Sequence, residues 1–201
     1  MGNHMVDENI CFSGGAKGAD SLFGQCAEVC DHKVMHFSFI GHKPAVKANI
    51  YPISDLDLQQ ADKFLKRANL VLKRGTFPYE SDYVNNMLRR NYFQIKQTER
   101  VYAVTSLDRK TGLPSGGTAW ALVMAAQKGI RDIFVFDQST NLWRRMYDWV
   151  CAGFPESVVF DTMKWIDERP EPPHGHYTGI GSRDLTTEGA NAIIKLYEEC
   201  E

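Results

Sequence analysis

Hydrophobic residues in this chain follow two patterns, short unbroken runs and longer stretches spaced three and four positions apart. The run at 9–12, Asn-Ile-Cys-Phe, predicts a short buried strand. After a glycine-rich stretch at 13–20, the hydrophobic spacing is that of a helix with one buried face. The residues at this spacing are Ala19, Leu22, Phe23, Cys26, Ala27 and Cys30. The segment therefore predicts a strand, a glycine-rich loop and a helix in direct succession.

The same succession is predicted twice more. A strand at 100–105 leads to a loop that ends at 115–118, and the helix after it is closed by Gly129 in a left-handed conformation before a strand begins at Ile133. Near the end of the sequence, a strand at 176–178 runs into Gly179-Ile180-Gly181-Ser182-Arg183. The last helix is marked by Ala190, Ile193, Ile194 and Tyr197. Strands that alternate with helices indicate an α/β fold with a mostly parallel sheet.

The region between the first two units is predicted to be helical from about 54 to 96, with a break at 75–78. It is locally basic, since nine Lys and Arg residues face three acidic residues between positions 63 and 100. For the lysines we interpret this charge as a solvated helical face. Arg89-Arg90-Asn91 lies close to the second strand, so its end could face the same edge of the sheet. A guanidinium there would bind a phosphate or carboxylate through two donors.

Overall composition limits the classes of function. The 201 residues carry 23 Lys and Arg against 25 Asp and Glu, and 43% are hydrophobic, which is typical of a globular protein. A net charge of −2 argues against binding nucleic acid or a membrane through bulk charge. The five cysteines form no Cys-x-x-Cys pair, which predicts a reducing, cytoplasmic compartment and no metal site. We expect no membrane span and no signal peptide, and interpret 1–8 as disordered or an expression scar.

The glycine-containing loops carry the candidate chemistry. In a parallel sheet such loops emerge at the carboxyl edge of the strands, and the first amides of the following helix attract an anion, typically a phosphate. Each loop also carries donor side chains, so the three together predict one shared anion site. His36 and His42 flank a predicted strand and loop at 37–41, and His42 could reach the rim of this pocket. The candidate ligand-binding residues are Ser13, Gly14, Gly15, Lys17, Gly18, Asp20, Arg90, Asn91, Ser115, Gly116, Gly117, Thr118, Gly179, Gly181, Ser182 and Arg183.

Four motifs resemble the SLOG superfamily, which includes DNA-processing protein A and the Lonely Guy phosphoribohydrolases. They are Ser-Gly-Gly-Ala-Lys-Gly-Ala-Asp at 13–20, Arg-Asn at 90–91, Gly-Gly-Thr at 116–118 and Gly-Ile-Gly-Ser-Arg at 179–183. The resemblance implies a Rossmann-like sheet with helices on both faces, a nucleotide pocket and, since relatives often pair, a homodimer. In the family the Gly-Ser-Arg motif comes first, so this chain looks circularly permuted. We therefore expect a single domain over 1–201, closely placed termini and a permutation linker at 161–175.

The resemblance leaves three functions open. The first is binding or sensing of a nucleotide or nucleotide-derived molecule, without a cofactor. The second is hydrolysis of a nucleotide N-glycosidic bond, as in the phosphoribohydrolases, for which Asp20 and Glu80 are the candidate catalytic residues. The helix after Gly117 lacks the acidic residue that the Lonely Guy enzymes use, which favours binding over hydrolysis. The third is single-stranded nucleic acid binding by the basic segment, which the acidic net charge disfavours.

Overall fold

A mixed sheet of eight strands organises the part of the protein that the structure describes. The computed structural model describes residues 8–148 and 163–198. The strands are β1 (Ile10–Ser13), β2 (Lys33–Ser38), β3 (Ile50–Pro52), β4 (Arg100–Thr105), β5 (Asp132–Asp137), β6 (Leu142–Asp148), β7 (Lys164–Asp167) and β8 (His176–Gly181). Their order in the sheet is β3-β2-β1-β8-β4-β5-β6-β7. The first six in this order are parallel, whereas β6 and β7 pair antiparallel at one edge.

Helices cover both faces of the sheet. They are α1 (Ala19–Val29), α2 (Asp55–Gln59), α3 (Asp62–Leu72), α4 (Asp82–Lys96), α5 (Thr118–Lys128) and α6 (Thr187–Tyr197). Buried residues of α1 and α6 form one hydrophobic core, and buried residues of α3, α4 and α5 form another. The α/β class, the mostly parallel sheet and the helices on both faces are therefore confirmed. The left-handed end of α5 is confirmed as well, since Gly129 has φ 96°.

The segment predicted as a linker contains a strand. Residues 161 and 162 lie outside the described residues, but β7 pairs with β6 directly after them. The three prolines at 170, 172 and 173 suggested an irregular segment, yet they all follow the strand. Trp165 packs its indole against the 107–114 loop and donates a hydrogen bond to the Gly112 carbonyl at 2.8 Å. This long-range contact, which local sequence does not reveal, adds an edge strand to the sheet.

Strand order bears on the proposed permutation. If the three-residue edge strand β3 is set aside and β8 is counted as the first strand, followed by β1, β2, β4 and β5, the other parallel strands read 3-2-1-4-5, as in dinucleotide-binding folds. The two ends of the described chain also meet, because Asn9 and Tyr197 both contact His32. The Asn9 amide lies 3.2 Å from the His32 ring nitrogen Nε2, and the Tyr197 and His32 ring centres are 6.2 Å apart. Both features are what a permuted chain requires, and the permutation itself stays a prediction.

Gly179, in the central strand β8, lies where helix α1 packs closely against the sheet. A Cβ atom at this position would lie 2.4 Å from Cβ of Phe23, which is fully buried on α1. The helix can therefore approach the strand only because Gly179 has no side chain. Although the sequence placed Gly179 among the ligand-binding residues, its observed contact is with the core.

We expect Gly179→Ala to lower the free energy of unfolding by about 1–3 kcal/mol, because the added methyl group overpacks the contact with Phe23. Gly117→Ala is the matched control. It has an ordinary φ of −67° and its Cβ would meet no atom within 4 Å, so its stability should be unchanged. Urea unfolding followed by circular dichroism measures both variants. Equal stability of the two would contradict this account of the strand.

Candidate functional site

The three predicted loops follow strands β1, β8 and β4, which are direct neighbours in the sheet. Backbone hydrogen bonds join them. Ser182 donates its N–H to the Val104 carbonyl at 2.7 Å, and its own carbonyl accepts the N–H of Ala19 at 3.0 Å. At this carboxyl edge lies a cavity of about 550 Å3, which is within the usual range for small-molecule sites. The sequence therefore predicted correctly that the loops converge.

The cavity has a polar side and an apolar side. The polar side is formed by the loops after β4 and β8, with Ser115, Gly116, Gly117, Thr118, Gly181, Ser182, Arg183 and Asp184. The apolar side comes from α4 and the segment before it, with Tyr79, Tyr83, Val84, Met87 and Leu88, and Trp120 of α5 adds to it. Arg74, Arg90 and Asn91 also line the cavity. This arrangement suits a ligand with one anionic end and one flat, apolar end.

In the first glycine-rich loop, at 13–20, backbone N–H groups donate to side chains of the same loop and not to the cavity. The Gly14 N–H donates to the Asp20 carboxylate, and the Gly15 N–H donates to Ser13 Oγ at 3.1 Å. A Cβ at Gly18 would lie 2.3 Å from the Ser182 carbonyl oxygen. These three glycines allow close packing, and none of them lines the cavity. This differs from the sequence interpretation, in which Gly14, Gly15 and Gly18 contact the ligand.

Asp20 holds the loops together. Its side chain is buried, and it accepts hydrogen bonds from the Gly181 N–H at 2.9 Å and from the Gln94 amide at 3.4 Å. The Arg90 guanidinium lies 3.6 Å from the carboxylate. Burial raises the pKa of Asp20, and Arg90 and the hydrogen bonds oppose this shift. Asp20, a candidate catalytic residue, is thus bonded to Arg90, Gln94 and Gly181, which are all distant from it in the sequence.

Arg90, which the sequence predicted to bind a phosphate or carboxylate of the ligand, is buried and bonded within the protein. It is 3% exposed, and its Nη1 lies 2.9 Å from both the Gly14 carbonyl oxygen and His42 Nε2. Because a guanidinium only donates, His42 Nε2 must be the acceptor, which leaves the proton on Nδ1, 3.0 Å from Ser38 Oγ. Burial, Arg90 and Arg183 lower the pKa of His42 to about 4. His42 therefore holds Arg90 in place as a neutral imidazole.

The second loop is open to the cavity. Ser115, Gly116 and Gly117 are exposed, and a Cβ at either glycine would meet no atom within 4 Å. No side chain caps the start of α5, and its first turn has no acidic residue. The partial positive charge of the helix end is therefore available to an anion. Arg74 reinforces it, since its guanidinium donates to the Pro114 carbonyl at 2.9 Å and to the Gly116 carbonyl at 2.6 Å.

Some predicted residues lie away from the cavity, and some lining residues were not predicted. Lys17 and Glu80 are exposed and do not line the cavity, so Glu80 is not placed to act in it. Asn91 lines it and donates to the Gly117 carbonyl at 3.1 Å. The sequence did not single out Arg74, Tyr79 or Asp184. In the sequence, Arg74 is one of several basic residues. The helix break before α4 gave no sign that the chain returns there toward the carboxyl edge of the sheet.

Comparisons with family models, with curated proteins and with solved structures find no match. The geometry of the cavity is therefore the basis for the function proposed below. In the part of the chain that the structure describes, no helix is long and apolar enough to span a membrane. Within residues 8–148 and 163–198, no three His, Cys, Asp or Glu side chains are grouped as metal ligands.

The position of His42 predicts a specific dependence of stability on pH. Its pKa is lower in the folded protein than the usual 6.5, so only the unfolded chain binds a proton as the pH falls from about 6.5 to about 4. Stability is therefore lost through this window, and His42→Gln should reduce that loss. Urea unfolding at pH 7 and at pH 4.5 measures the loss of unfolding free energy between these pH values for the unchanged protein and for His42→Gln.

His174→Gln is the control, because His174 is exposed. Its loss of stability between the two pH values should match that of the unchanged protein. His32 and His36 also have lowered pKa values, but they contribute equally in all three proteins. If His42→Gln kept the full loss, the neutral contact with Arg90 would be disproved.

Proposed function

We propose that this protein binds a nucleotide or nucleotide-derived molecule in the cavity at the carboxyl edge of β1, β8 and β4. The observation that supports this most directly is the uncapped start of α5, which opens into the same cavity as Arg74 and Arg183. A phosphate group is the ligand that such a combination of helix amides and guanidinium groups prefers. The cavity also lies between β8 and β4, where the strand order reverses, which is the usual ligand position in open α/β sheets.

The anionic end of the ligand is assigned to the polar side. Arg183 is exposed, and its charge helps to lower the pKa values of Arg90 and His42. The cationic groups on this side are thus close enough to repel one another. Asp20 offsets the charge of Arg90 at 3.6 Å, but no ion pair of Arg183 is found among the described residues. A bound phosphate would relieve this repulsion.

The base of the ligand is assigned to the apolar side. Tyr83 and Val84 lie next to each other on α4, are 48% and 42% exposed, and both line the cavity. Trp120 and Tyr79, which also line the cavity, form an edge-to-face pair with ring centres 6.3 Å apart. Exposed aromatic surface and an aromatic pair in the wall of one cavity suit stacking with a nucleobase.

Bond cleavage by Asp20 or Glu80 is not part of this proposal. Asp20 is bonded within the protein, and Glu80 lies outside the cavity wall, so neither candidate acid presents a free carboxylate to a ligand. Hydrolysis by either residue would require its carboxylate to exchange a proton with water or with the leaving group. Binding needs only the donors and the aromatic surface.

Arg183→Ala should weaken nucleotide binding about tenfold to a hundredfold, because it removes a charge-assisted hydrogen bond to the phosphate. Isothermal titration with the four common ribonucleoside 5′-monophosphates and diphosphates measures this. Lys17→Ala is the matched control. It removes one positive charge from a neighbouring loop at an exposed position outside the cavity. Its affinity should equal that of the unchanged protein, and an equal loss in both variants would exclude a specific role of Arg183.

Ser115→Asp should separate ligand binding from stability. A carboxylate before the first turn of α5 interacts favourably with the helix dipole, by about 0.3–1 kcal/mol, but repels a bound phosphate. The change also removes the hydrogen bond between Ser115 Oγ and Thr105 Oγ1 at 3.0 Å, which offsets this gain. We therefore expect stability in urea to change by less than about 1 kcal/mol together with weaker nucleotide binding. Unchanged affinity in Ser115→Asp would place the phosphate elsewhere in the cavity.

A further inference from the structure

Hydrogen-bond donors dominate the polar side of the cavity. Arg74 and Arg183 only donate, and the first amides of α5 have no acceptor within their own helix. An ionised carboxylate accepts hydrogen bonds and donates none. The cavity wall contains two carboxylates, Asp20 and Asp184, and Asp20 is already bonded to Gly181 and Gln94. Asp184 is therefore the carboxylate of the cavity wall that is available to a ligand.

The backbone of Asp184 is fixed from both sides. Its N–H donates to Ser182 Oγ at 3.1 Å, and the hydroxyl of Ser182 donates back to the Asp184 carbonyl at 3.3 Å. Gln138, directly after β5, donates to the same carbonyl at 3.3 Å. The other end of the Gln138 amide accepts the N–H of Thr186 at 2.8 Å, which ties the loop to the start of α6.

The carboxylate of Asp184 contrasts with this fixed backbone. It has no hydrogen bond or ion pair within residues 8–148 and 163–198, and the residue is exposed on the cavity wall. A phosphate bound near Arg183 would repel an adjacent free carboxylate. A ligand that fits both residues must therefore bring hydrogen-bond donors next to its anionic group.

We infer that Asp184 accepts hydrogen bonds from the vicinal hydroxyl groups of the ligand's ribose. This inference rests on the proposed function and specifies its ligand as a ribonucleotide. Asp184 follows Arg183 on the loop assigned to the phosphate, whereas Tyr83 and Trp120 belong to the side assigned to the base. In a nucleotide the ribose joins these two ends. Its two hydroxyl groups supply the donors that the phosphate lacks.

The experiment compares each ribonucleoside 5′-monophosphate (AMP, GMP, CMP and UMP) with its 2′,3′-dideoxy analogue by isothermal titration. The unchanged protein should bind the dideoxy analogue about tenfold to a hundredfold more weakly, as expected for the loss of hydrogen bonds to a charged acceptor. Asp184→Ala should bind the ribonucleotide more weakly and discriminate between the two by less than about threefold. Asp184→Asn keeps one acceptor oxygen, so its discrimination between the two ligands should lie between that of the unchanged protein and that of Asp184→Ala.

Arg183→Ala is the control variant for this comparison. It should weaken binding of the ribonucleotide and of the dideoxy analogue by the same factor, so that their ratio is preserved. Melting temperatures of all variants, measured without ligand, establish that each one is folded. Because Asp184 is exposed, both of its substitutions should leave the melting temperature unchanged.

The outcomes distinguish the two proposals. If the unchanged protein and Asp184→Ala show the same ratio of ribonucleotide to dideoxy affinity, the role of Asp184 is overturned while nucleotide binding stands. If Asp184→Ala instead alters discrimination between AMP and inosine monophosphate, the carboxylate binds the base amino group, and the ribose assignment is overturned. If no nucleotide binds to the unchanged protein, both the function and the inference fail.

Discussion

The buried ion pair between Asp20 and Arg90 is the interaction on which the site depends. Asp20 lies in the first turn of α1, Arg90 lies on α4, and the carboxylate also accepts the N–H of Gly181 at the end of β8. Two helices on opposite faces of the sheet are thus joined through its carboxyl edge. A buried charge without a partner is costly, so these elements must keep their relative positions. Removing either partner would leave the other as an isolated buried charge.

This ion pair explains why the three glycine-containing loops differ in role. The Gly14 N–H and the Gly181 N–H both donate to Asp20, so the protein's own carboxylate takes the place that an anionic ligand would have near the first loop. The loop before α5 has no internal carboxylate of this kind. Glycines serve packing in the first case and access in the second. The same residue type therefore has two physical meanings within one site.

The succession of strand, loop and helix could be predicted from the hydrophobic pattern, because the face that each element buries determines that pattern. The convergence of the loops followed from the parallel sheet, since β1, β8 and β4 present their carboxyl ends at one edge. The role of Arg74 could not be predicted. It depends on a chain reversal between α3 and α4 that brings its guanidinium to the Pro114 and Gly116 carbonyls. The edge strand β7 was missed for the same reason, since Trp165 makes its hydrogen bond to the distant Gly112.

The sequence by itself determined the elements and the edge of the sheet at which a ligand would meet them, because periodicity and glycine placement are local properties of the chain. The tertiary structure decided which hydrogen-bonding groups are free to bind a ligand. Asp20 and Asp184 are the same residue type beside similar glycine motifs, but one is buried against Arg90 and the other is exposed on the cavity wall. Whether a carboxylate or an amide is available to a ligand depends on partners that are distant in sequence, such as Arg90 and Gly181 for Asp20. Only the folded chain brings those partners together.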